Sequence, residues 1–156
     1  MPIVHVEIVV RSDMESCFDA SRDIGLHTKT VWKHTREQAI AGVTSGLIGC
    51  GETVTFEATH FGIQQRLTSK IVEFDRPYRF VDQMQKGAFA YLRHTHDFIE
   101  HPEGTLMKDT LEFHSPYGII GKCFNFVVLE RYMTKFLADR SRCLKEQIES
   151  GLWRRS

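Results

Sequence analysis

Two histidines stand one residue apart in the stretch LRHTHDF, and their type and spacing suggest chemistry more directly than any other feature of the chain. The stretch has the composition of a β-strand, in which side chains at i and i+2 point to the same side. His94 and His96 are therefore predicted to share one face, with Arg93, Thr95 and Asp97 on the other. Paired imidazoles can transfer protons near neutral pH, recognise a polar group or bind a metal ion. The function of the pair depends on what their face contacts.

The turn HPEG sets the register of this strand against the next one, TLMKDTLEFH. A four-residue hairpin loop places Glu100 opposite Thr105. One face of the predicted ladder is apolar apart from its histidines and one aspartate, and it pairs Phe98 with Met107, His96 with Asp109, His94 with Leu111 and Leu92 with Phe113. The other face pairs Asp97 with Lys108, Thr95 with Thr110 and Arg93 with Glu112. Opposite charges and paired threonines are typical of a solvated surface, so the histidines are predicted to face the interior.

The preceding strand, YRFVDQMQ, brings a second carboxylate to this face. Its predicted inward residues are Phe80, Asp82 and Met84. A three-residue connection pairs Lys86 with Ala90, Met84 with Leu92 and Asp82 with His94. Asp82 and Asp109 are then expected to flank the two histidines inside an apolar concavity, and His60, on the inward face of its own strand, is a candidate to join them.

Three interpretations of this cluster remain open. Buried carboxylates and imidazoles compensate each other's burial, so the cluster can be a structural network that orders neighbouring strands. It can instead recognise a polar group of a mostly apolar ligand or transfer a proton to it, with His94, His96, Asp82 and Asp109 as the catalytic candidates. The His-x-His spacing, completed by His60 and an aspartate, is also compatible with a metal site. Because each imidazole is expected to be engaged by its own carboxylate, no metal ligands and no cofactor are assigned.

The elements that must position these residues follow from the periodicity of the chain. Ile3 to Val10 is predicted to be a strand, Ser12-Asp13 to cap a short helix, and Ile24 to about His34 to form a second helix, with Thr35 to Cys50 as the helix end and a loop. From Glu52 the period is two over five consecutive strands with short connections, which predicts an antiparallel meander. After Ser115-Pro116 an apolar stripe at helical spacing predicts a helix of roughly thirty residues, about 45 Å long, to about Glu149. The fold class is α+β, with a curved antiparallel sheet wrapped around a long C-terminal helix.

Length and composition limit the class of protein. The 156 residues suit one domain, predicted over residues 1–150, with 151–156 as a tail. Lysine plus arginine equals aspartate plus glutamate, at 20 each, so no nucleic-acid partner is expected. The start of the chain lacks the features of a signal peptide, and no apolar run is long enough for membrane insertion. We therefore expect a cytoplasmic protein, whose four scattered cysteines are free thiols.

The order of the elements is similar to the helix-grip fold of the START-like, Bet v 1-like superfamily, often called SRPBCC, over essentially the whole chain. Locally, HFGIQQRLTSKIVEFDRPYRFVDQMQKGAF, HTHDF and GTLMKDTLEF resemble a bacterial branch labelled cell-division-inhibitor-like, or ligand-binding SRPBCC proteins. The resemblance implies a deep cavity between sheet and helix that accepts a hydrophobic, lipid- or polyketide-like small molecule. Some members of the superfamily bind or transport such a molecule, and others are cyclases or aromatases.

These observations favour a binding protein over a cyclase, aromatase or dehydratase, and both over a protein-interaction module. A homodimer is left open. The residues expected to line the cavity are Phe56, His60, Phe80, Asp82, Met84, Leu92, His94, His96, Phe98, Met107, Asp109, Leu111, Phe113, Met133 and Phe136.

Arg140 falls on the apolar stripe of the last helix, where it either extends to solvent at the cavity mouth or pairs with a ligand carboxylate, the first being favoured. GIIGKCFN lacks the pattern of a P-loop and is expected to be the entry into the long helix.

Overall fold

The computed structural model describes residues 2–114 and 128–153. Seven strands and three α-helices follow one another in these residues, with a short 3₁₀ turn at Lys33–Thr35. In chain order they are β1 (Ile3–Val10), α1 (Met14–Ser21), α2 (Ile24–Thr30), β2 (Gln38–Gly42), β3 (Thr53–His60), β4 (Ile63–Asp75), β5 (Arg79–Lys86), β6 (Tyr91–His101), β7 (Gly104–His114) and α3 (Glu130–Glu149). The strands form one antiparallel sheet in the order β1-β7-β6-β5-β4-β3-β2, which is not closed. The predicted α+β helix-grip architecture is confirmed.

The two short helices begin where the sequence offers a capping aspartate. The Asp13 side chain accepts a hydrogen bond from the backbone N–H of Ser16, at 3.0 Å, and Asp23 accepts one from Leu26, at 3.1 Å. These bonds satisfy backbone donors that the first helical turn leaves without a partner. The helix predicted to reach His34 ends earlier, because Val31 is extended and α2 closes at Thr30. Threonine and valine are weak helix formers, and they dominate this end of the segment.

Strand β2 lies in the stretch that was predicted to be a helix end and a loop, so that prediction is wrong for Gln38–Gly42. It pairs with β3, and its register shifts between Ala39 and Ala41. Because β2 is a short, mostly exposed edge strand with a bulge, its residues show no alternation of apolar and polar types.

The predicted register of β6 and β7 is confirmed, from Leu92 opposite Phe113 to Glu100 opposite Thr105. Strand β5 also pairs with β6 as predicted at Asp82 and His94, and this ladder ends at Gln83 with Arg93. The predicted pairs of Met84 with Leu92 and Lys86 with Ala90 lie beyond its last residues. The two ladders place the inward residues of β5, β6 and β7 side by side.

Helix α3 covers this inward side of the sheet. Its buried side chains divide between two apolar clusters, with Leu144 and Ile148 beside Phe18 of α1 and Leu137 beside residues of β6 and β7. The predicted end of this helix at Glu149 is confirmed. Its predicted first part, including Phe126 and the segment 118–125, lies outside the described residues. No helix in the described part of the chain is long and apolar enough to span a membrane, and Cys17, Cys50 and Cys143 are free thiols.

Candidate functional site

An internal cavity of about 420 Å³ lies between the inward face of the sheet and α3. This volume is within the range of roughly 300–1,000 Å³ that is usual for small-molecule sites. Strands β3 to β7 and helices α1, α2 and α3 all contribute to its wall, which is mostly apolar. The polar side chains of that wall include a His–Asp cluster on β5 and β6 and a second polar group formed by His27, Glu37 and Arg140.

The His–Asp cluster comprises His94 and His96 of β6, Asp82 of β5 and Asp109 of β7. The two imidazole rings are stacked, with centroids 3.8 Å apart. Nε2 of His94 lies 2.9 Å from Oδ1 of Asp109, and Nε2 of His96 lies 2.8 Å from Oδ2 of Asp82. Nδ1 of His96 lies 3.1 Å from Oδ1 of Asp109. Three neighbouring strands are thus connected by one network of side chains.

Two of the three histidine–carboxylate contacts in this network join diagonal neighbours, and one joins residues that are directly opposite. The register pairs His96 with Asp109 and Asp82 with His94, and these were the predicted side-chain pairs. In the structure, His94 contacts Asp109, and His96 reaches both carboxylates. Of the two predicted pairs, His96 with Asp109 is therefore confirmed as a contact, while Asp82 with His94 is wrong, because Asp82 contacts His96 instead. Diagonal neighbours on a twisted sheet are within reach of long side chains, which a register alone does not reveal.

His96 is the positively charged member of the cluster. Burial alone would lower the pKa of His96, but its hydrogen bonds to Asp109 and Asp82 outweigh burial and raise it. Both ring nitrogens face carboxylate oxygens, an arrangement that needs a proton on each nitrogen. The same contacts, opposing the effect of burial, hold the pKa of Asp82 below and that of Asp109 well below the usual carboxyl range.

His94 is neutral by contrast. Burial lowers the pKa of His94, and the charge of His96 lowers it further, against the opposing effect of the Asp109 hydrogen bond. Nε2–H of the neutral ring donates to Asp109, and Nδ1 has no hydrogen-bond partner among the described residues. Because the ring lines the cavity, the cluster presents to the cavity an imidazole nitrogen that can accept a proton.

Neighbouring residues fix the orientation of the cluster. The Phe80 ring stacks on His96 with a centroid distance of 4.1 Å, and Oγ of Ser141 on α3 donates to Oδ2 of Asp109 at 3.3 Å. Donor atoms of Asp82, His94 and His96 lie within 4.8 Å of one another, which is compatible with a metal ion. However, the histidine nitrogens that contact Asp82 and Asp109 already have hydrogen-bond partners.

His60 does not belong to this cluster. Its ring lines the cavity elsewhere, and Nδ1 lies 2.6 Å from the hydroxyl of Tyr132 on α3. Burial lowers the pKa of His60. The predicted convergence of His60 with the other two histidines is not found, because β3 is separated from β6 by two strands.

The cavity wall includes most of the residues predicted to line it. These are Phe56, His60, Phe80, Asp82, Leu92, His94, His96, Leu111, Met133 and Phe136. The predicted residues that do not line it are Met84, Phe98, Met107, Asp109 and Phe113. Phe98 and Met107 pack with Phe18 of α1, while Met84 and Phe113 belong to the second apolar cluster. Asp109 lies behind the two histidines, so its effect on the cavity acts through them.

The second polar group includes residues that the sequence did not single out. Glu37 immediately precedes β2. Its Oε1 lies 2.9 Å from Nε2 of His27 on α2, and both residues line the cavity. Arg140 on α3 lines it too and is only 4% exposed, so the favoured prediction that it extends to solvent at the mouth is wrong. Arg140 interrupts an apolar helical stripe, and that was the signal available in the sequence; Glu37 gave none.

Comparison with solved structures places this geometry in a known fold. A protein of Thermus thermophilus, TTHA0849, is 19% identical with a TM-score of 0.75, over 96% of this chain and 99% of that one. A START superfamily protein from Mycobacterium smegmatis is 12% identical, with a TM-score of 0.71 over 95% and 97% of the two chains. Ara h 8.0201 is 14% identical, with a TM-score of 0.58 over 92% and 97%.

These similarities define a protein with the START-like, Bet v 1-like (SRPBCC) fold. They show the fold alone, since every identity is under one fifth. No protein-family model matches the chain, and no curated protein matches it. The predicted resemblance to the cell-division-inhibitor-like branch stays a prediction.

Proposed function

We propose that this protein binds a hydrophobic, lipid- or polyketide-like small molecule in the cavity between the sheet and α3. The observation that carries the proposal is the cavity itself, about 420 Å³ in volume with a mostly apolar wall. An apolar molecule gains free energy on leaving water for such a wall, at roughly 25 cal/mol per Å² of buried apolar surface. The two polar groups in the wall then select among apolar molecules by hydrogen bonding.

Filling the cavity with a side chain tests this function. Ala58 of β3 is 7% exposed and lines the cavity, so Ala58→Phe places a ring in the space of the ligand. We expect the variant to bind N-phenyl-1-naphthylamine, an uncharged dye that fluoresces in apolar surroundings, at least about tenfold more weakly than the unmodified protein, or ~1.4 kcal/mol. A fluorescence titration measures both affinities.

The matched control for this substitution is Ala41→Phe, which adds the same ring at an exposed position of β2. It is expected to keep the affinity of the unmodified protein for the dye. Equal dye affinity in Ala58→Phe and the unmodified protein would place any bound dye outside the cavity and contradict the proposal.

A second candidate function, acid–base chemistry on the bound molecule, is favoured by the geometry of His94. Its Nδ1 has no partner among the described residues, its Nε2 is held by Asp109, and its ring is neutral. A neutral imidazole fixed by a carboxylate is a suitable general base for the proton transfers of a cyclase, aromatase or dehydratase. His96, charged and enclosed by two carboxylates, is its supporting neighbour.

Replacing His94 distinguishes the carrier from the enzyme. Native mass spectrometry of the purified protein, with a denatured run beside it, detects molecules that leave on unfolding. For an enzyme, we expect His94→Gln to retain an unconverted molecule, different in mass from that in the unmodified protein by, for example, one water. The same molecule in both proteins would support the carrier alone. His101→Gln, a histidine in the β6–β7 hairpin away from the cavity, is the control.

A further inference from the structure

Two side chains of opposite charge in the cavity wall contain buried polar atoms that lack a hydrogen-bond partner. Within residues 2–114 and 128–153, Oε1 of Glu37 and Nε of Arg140 are the buried side-chain atoms with this property. Arg140 is 4% exposed and the side chain of Glu37 is 9% exposed. Buried polar groups are almost always hydrogen-bonded, and leaving one without a partner costs about 1–3 kcal/mol. Two such atoms in one cavity indicate that a polar group of the ligand belongs beside them.

No aspartate or glutamate side chain supplies a carboxylate to Arg140. Every aspartate and glutamate of the chain lies in the described residues, and none is within ion-pair distance of Arg140. The other two arginines of the cavity wall differ from it, because Arg22 lies 2.9 Å from Asp19 and Arg66 lies 2.9 Å from Glu57. A guanidinium remains charged when buried and has only donors. Arg140 is therefore available to donate to an oxygen of the ligand.

Glu37 is available to accept. Its Oε1 lies 2.9 Å from Nε2 of His27, but the contact lacks the geometry of a hydrogen bond. Burial would raise the pKa of Glu37, yet the contact with His27 and the charges of Arg140 and His60 hold it below the usual value, so the group is a carboxylate. The charge of Arg140 thus acts on Glu37, and the charges of these two residues cancel.

We propose that the polar end of the cavity ligand is an uncharged group with both an acceptor and a donor, of which a primary amide is the simplest. Its carbonyl oxygen accepts from Arg140, and its N–H donates to the Glu37 carboxylate. An ionised carboxylate satisfies Arg140 but is repelled by Glu37, and an apolar end leaves both atoms without a partner. This inference rests on the proposed function, and it specifies the class of ligand for the same cavity.

Three ten-carbon chains with different ends test the proposal by competition with bound N-phenyl-1-naphthylamine at neutral pH. Decanamide has an acceptor and donors, methyl decanoate has only acceptors, and decanoate is charged. In the unmodified protein we expect the affinity for decanamide to be at least about tenfold higher than that for either of the other chains. One additional hydrogen bond to a charged group is enough for such a difference. In Arg140→Met we expect decanoate to bind still more weakly, because the charge of Glu37 is then unopposed, while decanamide keeps only its hydrogen bond to Glu37.

Glu37→Gln supplies the decisive variant, because it keeps the shape of the side chain while it removes the charge. The glutamine amide can donate to a carboxylate, and Arg140 is then left with no opposing charge. We expect the order to reverse in this variant, with decanoate about tenfold tighter than decanamide. Glu146→Gln and Arg131→Gln, at exposed positions of α3, are the matched controls and keep the original order.

The outcomes separate this inference from the proposed function. If the unmodified protein does not bind the dye, the proposed function itself fails. If it binds the dye but the three chains compete equally or not at all, or if Glu37→Gln keeps the original order, only the inference is overturned. Arg140 also borders a void of about 10 Å³ beside Asp109 and His96, space for about one water molecule. If Arg140 donates only to a water molecule in that void, Glu37→Gln should not favour decanoate, and this variant should keep the original order of affinities.

Discussion

Asp109→Asn is expected to lower the free energy of unfolding by about 3–5 kcal/mol, the usual loss when one partner is removed from a buried ion pair. The Asp109 carboxylate accepts from His94 of β6 and from Ser141 of α3, and it lies 3.1 Å from Nδ1 of His96 in an ion-pair contact. Asparagine keeps the shape but supplies one acceptor and adds a donor. The charged His96 is then left with Asp82 alone, and the asparagine N–H₂ faces ring N–H groups. Urea unfolding near pH 7 measures the loss.

Asp97→Asn is the control for this prediction. Asp97 lies on the same sheet but on its outer face, where its carboxylate is 2.6 Å from the half-exposed Arg79 side chain. Exposed pairs of this kind contribute about 0–1 kcal/mol. A loss for Asp109→Asn as small as that of Asp97→Asn would mean that the buried cluster does not stabilise the sheet.

The alternating faces of β6 and β7 made the central part of the sheet predictable. The charge pairs Asp97–Lys108 and Arg93–Glu112 on one face, and the apolar residues on the other, permit one register, because a shift by one residue exchanges the faces. The position of Asp82 beside His94 followed from the next ladder. The membership of the His–Asp cluster was therefore available from the sequence.

The pairing within the cluster was only partly available, because it depends on side-chain torsions and on the twist of the sheet. A register predicts which Cβ atoms are close, and His96 is close enough to both Asp82 and Asp109 to contact each. Which histidine is charged follows from that arrangement, since two carboxylates face His96 and one faces His94. The opposite directions of the two pKa shifts thus depend on the positions of the side chains in the folded structure, which the register alone does not give.

The charged group around Glu37 was missed for another reason. Glu37 precedes an edge strand whose residues do not alternate, and its partner His27 is ten positions away on a helix. Neither position carries a periodic signal. Arg140 stood out against an apolar stripe, but its burial depends on how α3 lies over the cavity. Long-range packing, rather than local pattern, decides this part of the site.

The apolar cavity and the burial of the two polar groups each reduce the stability of the fold. A cavity forfeits packing contacts, and buried charges need partners, so both lower stability unless the surrounding network compensates. The His–Asp cluster compensates the cost of burying its own charges, because they are hydrogen-bonded across β5, β6 and β7. The group at Glu37 and Arg140 does not, and this difference is why the first is assigned to stability and acid–base chemistry and the second to the ligand.

The charge of His96 makes its contribution to stability dependent on pH. A histidine whose pKa is raised on folding stabilises the protein fully below its unfolded pKa of about 6.5, and this contribution is lost as the pH rises through the folded pKa. We therefore expect His96→Gln to lower the free energy of unfolding by about 3 kcal/mol near pH 6. The loss should decrease toward about 1 kcal/mol, the contribution of a neutral hydrogen bond, at a pH near 9.

His94→Gln is the matched control, because His94 has the opposite pKa shift on the same strand. Its folded pKa is lowered, so its neutral form is preferred in the folded protein, and the resulting contribution is present above about pH 6.5 and lost as the pH falls through the folded pKa. The destabilisation by His94→Gln should therefore be larger near pH 9 than near pH 6, the reverse of the trend for His96→Gln. Urea unfolding of both variants and the unmodified protein at the two pH values measures the trends. Parallel trends would contradict the assignment of the positive charge to His96, since only a difference in protonation between the two rings makes the slopes opposite.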